Sequence, residues 1–198
     1  NEAVGLFLAL LKVRVLQRRL PLFLGWNLTF RCNLRCQYCG AEAARGPELD
    51  TSGVCRRLDA FWKLGARWVT FGGGEPLLRQ DLGTIVQYAR KRGYRIYLST
   101  NGILLPQRLT ELKGVRNVNL SLDGPEEPMI ERGKGAFSRT LAAIEACGKA
   151  GIPVSLQCVL SALNLQSVRE VVRLAEENRV SVMFQPATRW LDSSTEPN

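Results

Sequence analysis

Arg31-Cys32-Asn33-Leu34-Arg35-Cys36-Gln37-Tyr38-Cys39 follows directly on the apolar run 23–29. Its three cysteines are spaced by four and three positions, and no neighbouring cysteine or histidine supplies a fourth ligand. Structural zinc takes four protein ligands, and cubane iron–sulfur clusters usually take four thiolates. Three thiolates at this spacing therefore imply a cubane with one iron left for a ligand that is not protein. The chain contains no histidine at all. That excludes histidine general bases, histidine metal triads and serine–histidine hydrolase chemistry.

Working outward from the cysteines, the chain alternates short apolar runs with segments of helical period. Residues 23–29 read as a strand, 53–64 as a helix with Val54, Leu58, Phe61, Trp62 and Leu64 on one face, and 68–71 as a strand ended by three glycines. Helix 81–92 is expected to start at Asp81 as N-cap and to stop before Gly93. Strand 95–99, a short helix 106–112 opened by proline, strand 118–122, helix 137–150, strand 154–160, helix 166–178 and strand 181–185 complete the series. Strands and helices recurring at intervals of roughly 25 residues predict parallel βα units, and right-handed crossovers close them into an open barrel. The predicted fold is α/β, a partial (β/α)6 barrel of parallel strands.

The unusual polar and glycine-rich stretches all fall at the C-terminal ends of these strands, where βα barrels place their chemistry. Gly72-Gly73-Gly74-Glu75-Pro76 ends the second strand; glycines let a backbone approach a ligand closely. Ser99-Thr100-Asn101-Gly102 ends the third, and Ser121-Leu122-Asp123-Gly124 the fourth. Each alone reads as a turn, but their matched placement does not.

The cysteine motif with Tyr38 before its last cysteine, the Gly-Gly-Glu-Pro stretch and Ser121-x-Asp123-Gly124 together resemble the radical S-adenosylmethionine (SAM) superfamily. Within it, they resemble the molybdenum-cofactor, peptide-modifying and sulfatase-maturing branches. The resemblance spans roughly residues 22–186. It implies a [4Fe–4S] cluster on Cys32, Cys36 and Cys39 whose open iron chelates the amino and carboxylate groups of SAM. It further implies that Gly73, Gly74 and Glu75 lie at the methionyl ammonium, Ser121 and Asp123 at the ribose with Asn101 as second choice, and Tyr38, Gln157 and Val159 at the adenine. Arg132, in Arg132-Gly133-Lys134-Gly135, is expected to pair with the SAM carboxylate through its planar fork; the His-Asp that often precedes this arginine is replaced by Ile130-Glu131. Arg31, Asn33 and Arg35 are expected to shield or tune the cluster. The implied reaction takes hydrogen from an unreactive C–H bond of a peptide or cofactor precursor, with a one-electron reductant such as flavodoxin or ferredoxin. Glu42 or Asp50 is a candidate to face substrate.

At 198 residues, 45% apolar and 23% charged, the chain is one domain with an ordinary core. Cys55, Cys147 and Cys158 lie in helix-like or strand-like runs and read as small buried hydrophobes. The formal charge is +9, with Lys12, Arg14, Arg18 and Arg19 following the apolar stretch 4–11. That stretch is far short of the about 20 residues a bilayer span needs and lacks a signal-peptide cleavage site. Residues 1–20 therefore form an amphipathic basic segment, packed on the barrel or docked on a membrane surface or partner, ahead of a core domain at 21–198. A cytoplasmic location, with membrane association through that segment, is the expectation. The absence of a starting methionine and the polar end, residues 191–198, point to a piece of a longer protein, and the cysteine-rich C-terminal extension of many relatives is expected to be absent. The rival readings are a lipid substrate, a non-catalytic iron–sulfur or zinc module, and nucleic-acid binding. The last is disfavoured because basic and aromatic residues form no stacking platform.

Overall fold

The computed structural model describes residues 20–36, 39, 46–124, 135–162 and 164–187, together with Val4, Phe7, Leu11, Arg14 and Val15. Six strands, β1 (Phe23–Thr29), β2 (Trp68–Gly73), β3 (Arg95–Thr100), β4 (Val115–Ser121), β5 (Val154–Leu160) and β6 (Ser181–Pro186), form one sheet in the order β1-β2-β3-β4-β5-β6. Every neighbouring pair is parallel. Helices α1 (Thr51–Leu64), α2 (Leu82–Arg92), α3 (Leu105–Arg108, continued by a 3-10 turn Leu109–Leu112), α4 (Ala136–Lys149) and α5 (Val168–Glu177) provide the crossovers. This is the open (β/α)6 barrel expected from the strand–helix alternation.

A sheet covered on both faces reads as continuous apolar runs, whereas one bare face gives alternation. Here the strands alternate. Ile96, Leu98, Val118, Leu120 and Leu156 are fully buried beneath the helices, together with Leu58, Leu82 and Ile85. Between them Tyr97, Ser99, Asn117, Asn119 and Ser155 stand half-buried on the other side. One face of the sheet builds the core; the other carries none of the described helices and mixes these polar residues with Phe23, Trp68, Tyr97 and Met183.

Local chemistry sets the element ends. Asp50 accepts a hydrogen bond from the Gly53 N–H at 2.7 Å and so caps α1, starting that helix two residues before the expected 53. Asp50, a substrate-facing candidate, is thus engaged at the helix end and exposed; Glu42 lies outside the described residues. Gly65 and Gly93 end α1 and α2 in the left-handed region. Asp81 occupies the N-cap position of α2 without making a capping bond, because its carboxylate is engaged by Arg79 and Thr51. β4 begins at Val115, earlier than the expected 118, since Val115 fills the core and a bulge against Ile96 absorbs one residue. Cys147 and Cys158 are buried as expected, and Cys55 only partly.

Candidate active site

The cysteine loop leaves the sheet at the end of β1 and returns just before α1. Arg79, only 5% exposed, holds both ends: its Nη1 donates to the carbonyls of Leu28 at 2.9 Å and Leu49 at 3.0 Å. Nε and Nη2 of the same guanidinium donate to the Asp81 carboxylate at 2.9 and 2.6 Å. The bidentate pair holds the Asp81 carboxyl well below its usual range, at about 2. Within the loop, Thr29 donates to Glu48, and Arg31 pairs with the same carboxylate at 3.3 Å.

Cys32 and Cys36 are half-buried, Cys39 is exposed, and all three are free thiols. Cys39 N–H donates to the Cys36 carbonyl at 2.9 Å, turning the chain between the last two cysteines. Cys32 Sγ receives the Leu34 N–H at 3.4 Å and the Asn101 side-chain amide at 4.0 Å. Burial pushes the Cys32 thiol up, the Leu34 N–H opposes this, and the nearby Glu75 carboxylate adds to it. Among the described residues no three histidine, cysteine or acidic side chains converge on a single ion. A cubane does not ask for such convergence, because each iron takes its own thiolate. Three free thiols spread along one anchored loop, with N–H donors on the first sulfur, fit that group.

The glycine-rich end of β2 packs directly on this loop. Gly74 N–H donates to Thr29 O and Glu75 N–H to Arg31 O, both at 2.8 Å. A side chain at Gly73, whose φ is +131°, would stand 2.1 Å from Thr29 O, and one at Gly74 would stand 2.3 Å from Arg31 O. The close approach that requires these glycines is therefore to the cysteine loop, and the Gly74 N–H is committed to it. The carboxylate of Glu75 is fully buried. It accepts from Leu77 N–H at 2.9 Å, Thr100 Oγ1 at 2.7 Å and Asn101 N–H at 2.8 Å. Burial raises its pKa against these three donors. Glu75 thus fastens the end of β2 to the end of β3.

Asn101 carries the connection onward. Its side chain donates to Asn33 Oδ1 at 2.8 Å and reaches Cys32 Sγ, while its Oδ1 accepts from Ile103 N–H at 3.0 Å. Cys32, Asn33, Glu75 and Asn101 accordingly meet at one place. A second group forms beside it at the ends of β4 and β5. Asp123, 2% exposed, accepts the Val159 N–H at 2.8 Å. Asn164 spans the Asp123 and Val159 carbonyls at 3.0 and 2.8 Å. Ser121 and Gln157 are register partners just before this junction, both half-buried. Tyr38 and Arg132 lie outside the described residues. Arg79, Thr100 and Asn164 were not singled out from sequence; a lone arginine five positions past a glycine run carries no recognisable spacing.

Compared with known proteins, the sequence pattern that defines the Radical SAM superfamily matches residues 26–175. The chain belongs to the radical SAM superfamily. It is 36% identical over 163 residues to the Fe-coproporphyrin III synthase of Methanosarcina barkeri, covering 78% of this chain and 41% of that protein. It is 34% identical over 166 residues to the PqqA peptide cyclase of Ruegeria pomeroyi, covering 79% of this chain and 44% of that one. The chain thus spans less than half the length of these radical SAM relatives. Its fold matches SuiB of Streptococcus suis with a TM-score of 0.75 at 17% identity, over 94% of this chain and 45% of SuiB. At that identity the match speaks for the partial barrel alone.

Proposed function

We propose that this chain is the core domain of a radical SAM enzyme acting on a peptide or a cofactor precursor. The observation that carries the reading is the anchored loop of three free thiols at the end of β1, set against the buried Glu75–Asn101 junction. When bound, a [4Fe–4S] cluster and SAM supply reductive C–S cleavage, giving methionine and a 5′-deoxyadenosyl radical that takes hydrogen from the substrate. Cys32, Cys36 and Cys39 would hold the cluster, each through one thiolate. The Leu34 N–H and the Asn101 amide stabilise negative charge on the first sulfur. Glu75, by fixing Asn101, keeps that amide aimed.

Around SAM, Gly73, Gly74 and Glu75 border the methionyl end, Ser121 and Asp123 the ribose, and Gln157 and Val159 the adenine, with Tyr38 and Arg132 completing the set. Relatives named for coproporphyrin and heme synthesis support a cofactor precursor, and the one named for peptide cyclisation supports a peptide. A flavodoxin or ferredoxin is the proposed electron donor. Val4, Phe7, Leu11 and Val15 occupy helical positions spaced by three, four and four residues and are 45–68% exposed. With Arg14 beside them, this stripe supports peripheral contact with an anionic membrane. Among the described residues no helix is long and apolar enough to cross a bilayer.

Anaerobic reconstitution tests the assignment. The expected product is a brown protein whose reduced EPR signal changes on adding SAM and which forms 5′-deoxyadenosine with dithionite. Alanine at Cys32, Cys36 or Cys39 should abolish both. A colourless protein that binds zinc, or deoxyadenosine formation unaffected by those substitutions, would end this reading.

A further inference from the structure

The helix-covered face of the sheet is apolar, and the face opposite it bears a hydrogen-bonded carboxamide network. Asn117 Nδ2 donates to Asn119 Oδ1 at 2.8 Å and to Ser155 Oγ at 2.7 Å. Ser155 Oγ in turn donates to Asn119 Oδ1 at 2.8 Å, closing a three-residue cycle across β4 and β5. Asn119 Nδ2 extends it to Ser99 on β3 at 3.4 Å. The cycle couples the two amides, since turning either one alone would set donor against donor or acceptor against acceptor. It also consumes both N–H groups of Asn117 and two acceptor positions of Asn119. What it leaves over is Asn117 Oδ1, an acceptor, and one N–H of Asn119, a donor. A peptide unit offers the complementary pair, one N–H and one C=O.

The charge of the same face narrows the ligand. Among the described strand residues on it, Arg95 is the charged one, placed at the N-terminal end of β3 over the Trp68 ring at 4.9 Å. Arg116 lies at the bulge at the start of β4. Toward the C-terminal ends the face offers amides and hydroxyls, Asn27, Ser99, Asn119, Ser121, Ser155 and Gln157, beside the apolar Val159 and Met183. Among the described strand residues of that end, a buried carboxylate would meet no cation, which is penalised, whereas an uncharged amide would be matched. Strands rise about 3.3 Å per residue, so Asn119 and Asn117 sit roughly 7 and 13 Å below Ser121. An extended segment of two to four residues spans that distance.

We infer that the uncovered sheet face, through Asn117, Asn119 and Ser155, binds an uncharged extended peptide segment whose reactive carbon lies at the strand ends, in preference to a polycarboxylate tetrapyrrole. The inference rests on the enzyme reading above for the location of the chemistry, and adds the substrate class.

The test uses the reconstituted full chain under anaerobic conditions and a pool of N-acetylated, C-amidated octapeptides with uncharged side chains, selected by affinity and read by mass spectrometry. The most enriched peptide is then labelled with fluorescein and titrated by anisotropy; coproporphyrin III is titrated by its own fluorescence. Saturable peptide binding, weakened tenfold or more by Asn119→Asp and by Ser155→Ala, is the expected result, with coproporphyrin III unaffected by either change. Thermal melting of each variant separates loss of binding from loss of fold, and two variants on different strands guard against one failing to fold. No enrichment from the pool, equal affinities in wild type and variants, or saturable coproporphyrin III binding lost on these substitutions would each overturn the inference. Deoxyadenosine formation by the wild type is scored separately. Its absence alongside peptide binding strikes the enzyme reading, and its presence without peptide binding strikes the substrate class.

Discussion

Arg79 offers the sharpest test of how the cysteine loop is held. Arg79→Met keeps the length and apolar volume of the stem and deletes four hydrogen bonds, two to Asp81 and one each to Leu28 and Leu49. Removing one partner of a buried ion pair costs about 3–5 kcal/mol. Asp81 retains 27% exposure and can be rehydrated, which favours the lower end, about 3 kcal/mol. The depressed Asp81 carboxyl gives a second figure. The Asp81 carboxyl falls from 3.8 to about 2 in the folded chain, which corresponds to roughly 2 kcal/mol of differential stabilisation. Because the folded pKa is depressed, this contribution is fully present above about pH 4 and is lost as pH falls from about 4 toward 2. In Arg79→Met most of that acid-sensitive component should be missing, the remainder coming from the Thr51 hydroxyl.

Urea denaturation at pH 7 and at pH 3 measures both quantities, and a melting temperature lower by about 6–12 °C is the thermal counterpart for a chain of this size. Adding Asp81→Asn to Arg79→Met should recover part of the loss, since the second change removes the orphaned carboxylate. Locally, the Arg79→Met chain should retain less iron per chain after reconstitution, and Cys32 should alkylate faster. A loss below about 1 kcal/mol, strict additivity of the double variant, or full stability loss with unchanged iron retention would refute the clip as described.

Gly73→Ala should be worse than a typical surface change by several kcal/mol, because its Cβ meets Thr29 O at 2.1 Å and backbone must move; an unchanged denaturation midpoint would contradict the close approach. Glu75→Gln puts an NH2 where three donors point at two oxygens, and about 2 kcal/mol of stability should go with it. The same change should also broaden the EPR signal of the reconstituted protein as Asn101 loses its anchor. Phe7→Asp should reduce co-sedimentation with anionic vesicles about tenfold, a change of about 1.4 kcal/mol; equal binding of both proteins would remove the membrane contact.

Six strands and their order were readable because each apolar run is short, bounded by glycine or polar residues, and followed by a helix of the right period. The site was readable to the level of motif, but the contacts that hold it together were not. Glu75 and Asp123 stand out in sequence as carboxylates at strand ends, and a carboxylate there suggests a ligand. In the fold their oxygens face backbone N–H groups of the adjacent strand: Asn101 for Glu75, Val159 for Asp123. Those partners are 26 and 36 positions away along the chain, and no local pattern encodes such a pairing. Asn117, Asn119 and Ser155 were visible all along as polar residues alternating with Val118, Leu120 and Leu156. Alternation says that a face is uncovered, but not that its polar groups bond to one another.

The long-range ties have a common cause. In a closed barrel the ladder of hydrogen bonds runs round the rim and holds every strand end in place. Here the described ladders run from β1 to β6 without returning, so the rim of strand ends has to be fastened by side chains. Arg79 fastens β1 to the loop return, Glu75 fastens β2 to β3, Asn101 fastens β3 to the cysteine loop, and Asp123 with Asn164 fastens β4 to β5. Radical chemistry needs reacting atoms placed within a fraction of an ångström, and a loose rim could not provide that. This double duty limits what the same groups can give a ligand. Glu75 Oε1 already accepts two donors and Oε2 one. A carboxylate has about four acceptor positions, so a ligand ammonium at this strand end has a single place to bind on Glu75, through Oε2.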